Sequence, residues 1–210
     1  MTAPALIGLE VAGAAEAWRR AGFTVDDDGV LQLGHVAIRT GVGASGIAGW
    51  TLGDVPDRAG STAPGPDPAA HSNGSLLLDH LVVMTDDPER TIEKYARLGL
   101  EVRRIRDLGN GKSQTFFRAG EVVIEVVGPV GGGDGDGDGD GDGDGGNERL
   151  WGLSPTVADL DACARLLGDR LGQIKDATQP GRKIATLRHE ACGLTIPVAF
   201  MSPEPDRSTR

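Results

Sequence analysis

Apolar residues along this chain follow two periods in turn, and the alternation occurs three times. A short strand-like run leads into a stretch of helical spacing closed by Gly, and further strand-like runs follow. The clearest copy opens with LLLDHLVVMT, continues through a helix from about Pro88 to Leu98, and ends in GEVVIEVVGP. Another opens with ERLWGLSPTV, keeps helical spacing from Leu160 to Leu171, and ends in GLTIPVAFM. The first copy is shorter, with ALIGLEV, a helix near Ala14 to Ala21, and a closing run GIAGWTL. In the middle copy LEVRRIRDLG, KSQTFFRAG and EVVIEVVG read as three strands joined by turns at GNG and AG. Each copy then has the order βαβββ, in which a helix connects the first strand to a three-stranded meander and packs on one side of a mixed sheet. The fold class expected is α+β, built from repeated βαβββ modules.

Helix ends are marked by residue type. Asp86 or Asp87 can cap the middle helix, Pro88 suits its first turn, Glu89 favours its positive end, and Gly99 can close it. Ile92, Tyr95 and Ala96 form its inward stripe. In the first copy Ala14, Trp18 and Ala21 share a face before Gly22; in the last, Asp159 can cap and Gly172 can close. These signals divide the chain into a short module over 1–55, a linker over 56–75, a module over 76–130, a Gly-Asp loop over 131–147 and a degenerate module over 148–203. The linker is rich in Pro, Gly, Ala and Ser and has no apolar periodicity. The tract GGGDGDGDGDGDGDGG combines the freest backbone with carboxylates that repel one another, and it reads as disordered. It lacks the closing Glu of an EF-hand and the recurring apolar residue of calcium-binding nonapeptide repeats, so it reads as a loop rather than a metal site.

Charge and cysteine usage narrow the function classes. The net charge of -10 includes six Asp in that tract, which leaves -4 for the rest of the 210 residues and no basic face for a nucleic acid. No run reaches the roughly 18 apolar residues of a membrane span, and MTAPALIGLEV lacks the build of a signal peptide, so a cytoplasmic protein with no membrane partner is expected. The two cysteines give no disulfide framework. Cys163 falls on the apolar helix face with Leu160, Ala164, Leu167 and Leu171, and Cys192 sits in what reads as a hairpin, HEACG. A packed, unreactive thiol is the reading for Cys163.

The order of elements, with the phrases LDHLVV, FFRAGEVVIEVVGP and LWGLSPTVADLD, resembles the vicinal oxygen chelate superfamily of glyoxalase, bleomycin-resistance and dioxygenase proteins. The resemblance is good over 78–128 and 150–201 and weaker over 5–53. It implies that two modules pair so that their curved sheets form a glyoxalase-like cup, in which a divalent metal often leaves positions open for two substrate oxygens. In metal-binding members the ligands come from the first and last strands of a module. On this resemblance His80 of LDHLVV and Glu125 of VVIEVV are the metal candidates, with Val123, Glu125 and Val127 on one strand face. An unpaired carboxylate among valines is costly, so Glu125 calls for a cation, a proton or a donor such as His80.

The last copy breaks this pattern, because Gly152 aligns with His80 and Pro197 with Glu125, and the first copy has Gly8 and no acid. Three protein ligands are usual for a catalytic metal. A third would have to come from His35, His71, His189 or another chain; the plainer readings are a turn or strand-surface residue for His35, a solvated linker residue for His71 and an exposed hairpin residue for His189. Either Phe116 or Phe117 must face inward. Gln114, Phe116 and Arg118 share a face, on which Arg118 is a solvated charge or an anion ligand. Arg103, Arg104 and Arg106 read as exposed strand positions, Lys175, Arg182 and Lys183 as loop flanks, and Trp151 as core or interface. The resemblance thus implies a protein that takes a small organic molecule in a cup made chiefly by 76–201. One reading is a metal-assisted lyase, isomerase or dioxygenase whose substrate chelates through two oxygens, with Zn, Fe, Mn, Ni or Mg not distinguished. The alternative is a metal-free binding or sequestering protein of the bleomycin-resistance type. A homodimer through the first module is compatible with both.

Overall fold

The structure is a computed structural model that describes residues 3–54, 70–130 and 148–205, so the Gly-Asp tract and most of the linker lie outside the described residues. The first copy comprises β1 (Ala5–Val11), α1 (Ala15–Arg20), β2 (Val30–Leu33), β3 (Val36–Arg39) and β4 (Ile47–Gly53). The middle copy comprises β5 (Ser75–Met84), α2 (Pro88–Arg97), β6 (Val102–Gly109), β7 (Lys112–Ala119) and β8 (Val122–Pro129). The last comprises β9 (Arg149–Val157), α3 (Leu160–Leu167), β10 (Lys175–Asp176), β11 (Lys183–Thr186), the short α4 (His189–Cys192) and β12 (Ala199–Met201).

The middle and last copies share one mixed sheet of eight strands, in the order β10-β11-β12-β9-β5-β8-β7-β6. Within each, the first strand lies parallel to the last, β5 on β8 and β9 on β12, because the helix carries the chain back over the sheet before the meander begins. The two copies join through their first strands, β5 and β9, which run antiparallel. The first copy departs from the expected repeat. Its sheet has the order β2-β3-β1-β4: β3 is parallel to β1, while β4 crosses to the opposite edge of β1 and runs antiparallel to it. Strand β4 therefore holds, against β1, the place that β9 holds against β5.

The caps form as their residue types require. Asp87 accepts the Arg90 amide at 3.0 Å, and Asp159 accepts the Ala162 amide at 2.9 Å. Tyr95 is fully buried, but Ala96 of the expected stripe is exposed, and Thr91 is buried instead, its hydroxyl 2.9 Å from that of Thr85. Helix α3 stops at Leu167 rather than Leu171, because Gly168 takes φ 55° and a 3-10 turn follows over Gly168–Arg170. The segment HEACG is α4, closed by Gly193, and not a hairpin tip.

Buried apolar side chains from all three copies form one core. Trp18 of α1 is fully buried edge-on to Phe23 at 5.4 Å, and Phe23 stacks on Phe200 of β12 at 5.8 Å. Trp50 of β4 lies against Tyr95 of α2 at 5.2 Å, and Arg20 Nε donates to the Cys192 carbonyl at 2.9 Å. The turn between β7 and β8 abuts β1 closely. Gly120 there has φ 67°, and a Cβ on it would stand 2.7 Å from the Ala5 Cβ. Gly120→Ala is expected to combine a left-handed backbone penalty of about 1–2 kcal/mol with crowding of about 1–3 kcal/mol. Urea unfolding of the variant measures the sum.

Candidate functional site

Strand alternation is interrupted in β5 at the residues that matter most. The register against β9 shifts between Leu78, opposite Pro155, and His80, opposite Ser154. Leu78, Leu81 and Val83 enter the core, while Asp79 and His80, adjacent in sequence, both serve the other side of the sheet. Asp79 is locked there. Its Oδ2 accepts from Thr156 Oγ1 at 2.7 Å and from Arg182 Nη2 at 2.5 Å, and its Oδ1 lies 2.6 Å from His80 Nδ1, outside regular hydrogen-bond angles. Burial alone would raise the Asp79 pKa, but His80, Arg182 and Thr156 together hold the carboxyl well below the usual range. Arg182, expected to flank a loop, is 3% exposed and also donates to the Ser202 carbonyl.

Glu125 projects from β8 with Val123 and Val127, alternating with the buried Val122, Ile124 and Val126. Gln114 Nε2 donates to its Oε1, and Phe116 is its partner across β7. Burial raises the Glu125 pKa, against the opposing fields of His80 and Arg106 and the Gln114 hydrogen bond. A carboxyl with raised proton affinity beside an imidazole is suited to take or release a proton.

His80 and Glu125 open into one cavity of about 620 Å³ on the concave side of the eight-stranded sheet. Arg104, Arg106, Gln114, Phe116 and Val123 line it from the middle copy, and Ser154, Lys175, Ile184, Met201 and the segment 176–180 line it from the last. Phe117 is the core member of the Phe pair, and Phe116 is the cavity member. Arg118 is exposed and does not line the cavity. Arg104 and Arg106, expected only as exposed strand residues, face the cavity, Arg106 opposite Gln114 and Arg104 opposite Phe116. A smaller cavity of about 420 Å³ lies beside Asp26, Asp28 and Arg39, where Asp26 already accepts the amides of Asp28 and Val30 and so braces its own loop.

The remaining histidines stand elsewhere. His71 is buried, not solvated: Nδ1 accepts the Thr24 amide at 3.0 Å, Nε2 meets the Gln32 carbonyl at 2.8 Å, and burial lowers its pKa. It ties the approach to β5 onto the first copy. His35 is in the turn between β2 and β3, its ring mostly buried, 3.4 Å from Glu121. His189 begins α4 and does not line the cavity. Trp151 is 40% exposed. Both cysteines are buried, and burial, then the Asp159 charge, pushes the Cys163 thiol up to about 12, as an inert packed thiol requires.

A divalent metal would have to draw on this donor set. Among the described residues no three His, Cys, Asp or Glu side chains come together. The Asp79 carboxylate is committed to Arg182, Thr156 and His80. In the last copy the position matching His80 is Gly152, which supplies no ligand, and a Cβ there would be crowded at 3.0 Å from the Pro197 carbonyl oxygen and 3.3 Å from its Cβ. The residues present do not fit a three-ligand centre.

Two βαβββ units joined through their first strands, with a cavity in the concave face of the shared sheet, define the class of fold. The chain belongs to the Glyoxalase/Bleomycin resistance protein/Dioxygenase superfamily, whose family model matches residues 77–188. Among solved structures, the chain is similar to 2,2',3-trihydroxybiphenyl 1,2-dioxygenase from the dibenzofuran-degrading Sphingomonas wittichii strain RW1. That similarity has TM-score 0.57 and 14% identity over 96% of this chain and 91% of the other. It is also similar to a xylose isomerase-like TIM barrel/4-hydroxyphenylpyruvate dioxygenase fusion protein, with TM-score 0.58 and 12% identity over all of this chain and 50% of the other. Methylmalonyl-CoA epimerase from Mycobacterium tuberculosis is 18% identical over 65% of this chain and 94% of its own, with TM-score 0.47. Likeness at such identities speaks for the fold alone. No curated protein sequence matches this one. No helix among the described residues is long and apolar enough to cross a membrane.

Proposed function

We propose that the cup between the middle and last copies binds a small organic molecule and does so without a resident metal. The observation that carries this reading is the convergence of His80, Glu125, Gln114 and Ser154 on one cavity with an apolar floor of Phe116, Val123, Ile184 and Met201. Few polar groups placed over apolar walls are what a small-molecule site requires, because the walls supply burial and the polar atoms fix orientation. Of the two readings that the family resemblance implies, the metal-free one agrees better with the donor set. His80 and Glu125 alone leave a divalent ion one protein ligand short of the three that a catalytic centre uses.

Methyl spectra test the proposal. The chain has three methionines, Met1, Met84 and Met201, of which Met201 lines the cavity and Met84 does not. With ¹³C-methyl methionine, bound members of a fragment library are expected to shift Met201 selectively. Binders that move only the other methyls, or none at all, would overturn the assignment. A chelator is expected to leave the melting temperature unchanged.

A further inference from the structure

Charge around the cup is unevenly placed. Arg104 and Arg106 stand two residues apart on β6, one outer strand of the eight, and Lys175 stands on β10, the other outer strand. All three line the same cavity. The cup is a curved sheet, so cations on its two outermost strands oppose each other across the opening, above a floor of Phe116, Val123 and Met201. Among the described residues none of the three side chains makes a hydrogen bond or an ion pair. Arg103, their neighbour on β6, does not line the cavity and does have a partner, Glu101 at 3.7 Å.

Two carboxylates line the cavity with them, Glu125 and Asp176. Asp176 is committed to Lys183 at 2.6 Å. Glu125 accepts from Gln114 and lies in the field of Arg106. The cavity therefore holds three cations against Glu125 alone, and such an excess focuses positive potential on the opening. A second observation points to a ligand in the same cavity, one that carries a donor besides its anionic groups. Gln114 Oε1 is buried without a hydrogen-bond partner, in a side chain that lines the cavity next to Arg106 in register. It is an acceptor awaiting a donor, such as a ligand hydroxyl.

Resting on the small-molecule reading above, we propose that the ligand class is a small organic dianion, a dicarboxylate or a phosphate ester, clamped between Arg104 and Arg106 on one rim and Lys175 on the other. The guanidinium forks supply paired donors to planar or tetrahedral oxyanions, and Lys175 supplies a point charge from across the cup. The apolar floor takes the carbon skeleton. Arg118 serves as the internal control, because it is an exposed cation on the neighbouring strand β7 that does not line the cavity.

The test follows the Met201 methyl while wild-type protein is titrated with malonate, inorganic phosphate and the neutral malonamide, with the other methionine methyls as reference. Malonate or phosphate is expected to shift Met201 and to weaken as salt is raised. Whichever binds more tightly identifies the carboxylate or the phosphate form of the class. Malonamide is expected to bind at least about tenfold more weakly, the difference that charge-assisted hydrogen bonds make. Arg106→Gln and Lys175→Gln are each expected to weaken the preferred anion by about tenfold or more, while Arg118→Gln leaves it unchanged. Equal binding of malonamide and malonate, or equal loss from Arg118→Gln and Arg106→Gln, would overturn the anion inference. Neutral fragments that shift Met201 while neither anion does would also overturn it and leave the cup reading standing. If no compound of any charge shifts Met201, both fall.

Discussion

Arg182→Ala is expected to lower the free energy of unfolding by about 3–5 kcal/mol, the range for breaking a buried ion pair by removing one partner. Arg182 is 3% exposed and its guanidinium joins Asp79, Thr156 and the Ser202 carbonyl, so truncation strands the Asp79 carboxylate and that carbonyl together. Urea unfolding at neutral pH measures the loss, and a change under about 1 kcal/mol would be that of a surface ion pair instead. The same constellation sets an acid limit. Because the folded-state pKa of Asp79 is depressed, its contribution is complete above the ordinary carboxylate pKa and disappears as pH falls below it toward the folded value. Wild type is therefore expected to lose stability in acid, and Arg182→Ala to lose less of it.

Trp18→Ala is expected to cost about 3–5 kcal/mol as a large-to-small change in a fully buried site. Its consequence should reach beyond the first copy. Trp18 holds Phe23, Phe23 stacks on Phe200 of β12, and β12 belongs to the sheet that forms the cup. One cooperative transition, shifted as a whole, is the expected result when fluorescence and the Met201 methyl are followed together. A variant in which Met201 unfolds at the wild-type denaturant concentration would mean that the first copy is an independent unit.

The sequence carried the element order and the caps, because Asp87, Pro88 and Asp159 act within one turn of themselves and need no distant partner. It also carried the face on which Glu125 lies, because β8 keeps strict alternation from Val122 to Pro129. The bulge in β5 was not legible. Its extra residue is defined only by pairing with β9, roughly 70 residues away, so nothing local marked Asp79 as a partner of His80 on the same side of the sheet. Arg104 and Arg106 were hidden in the same way, since which face of β6 meets the cup depends on its register with β7. Arg182 looked like a loop cation because its partners, Asp79 and Ser202, are far along the chain. The crossing of β4 to the far edge of β1 had no local signal, as GIAGWTL suits either edge. Linker composition misplaced His71, where Pro and Ala before it and Ser and Gly after it conceal two hydrogen bonds to the first copy.

Under the proposed function, Glu125 is a carboxylate kept among valines for the sake of the cup, at some cost to stability. Its folded-state pKa is raised, so its contribution is most favourable below the ordinary glutamate value and is lost as pH rises through the folded value. Glu125→Gln keeps the shape and removes the ionisation. The decisive measurement is the melting temperature of wild type and Glu125→Gln, in chelator, from about pH 5 to about pH 8. Glu125→Gln is expected to melt higher than wild type at the alkaline end, with the gap narrowing as pH falls. A variant that melts lower than wild type at every pH would contradict it and make Glu125 a structural partner of Gln114 and His80.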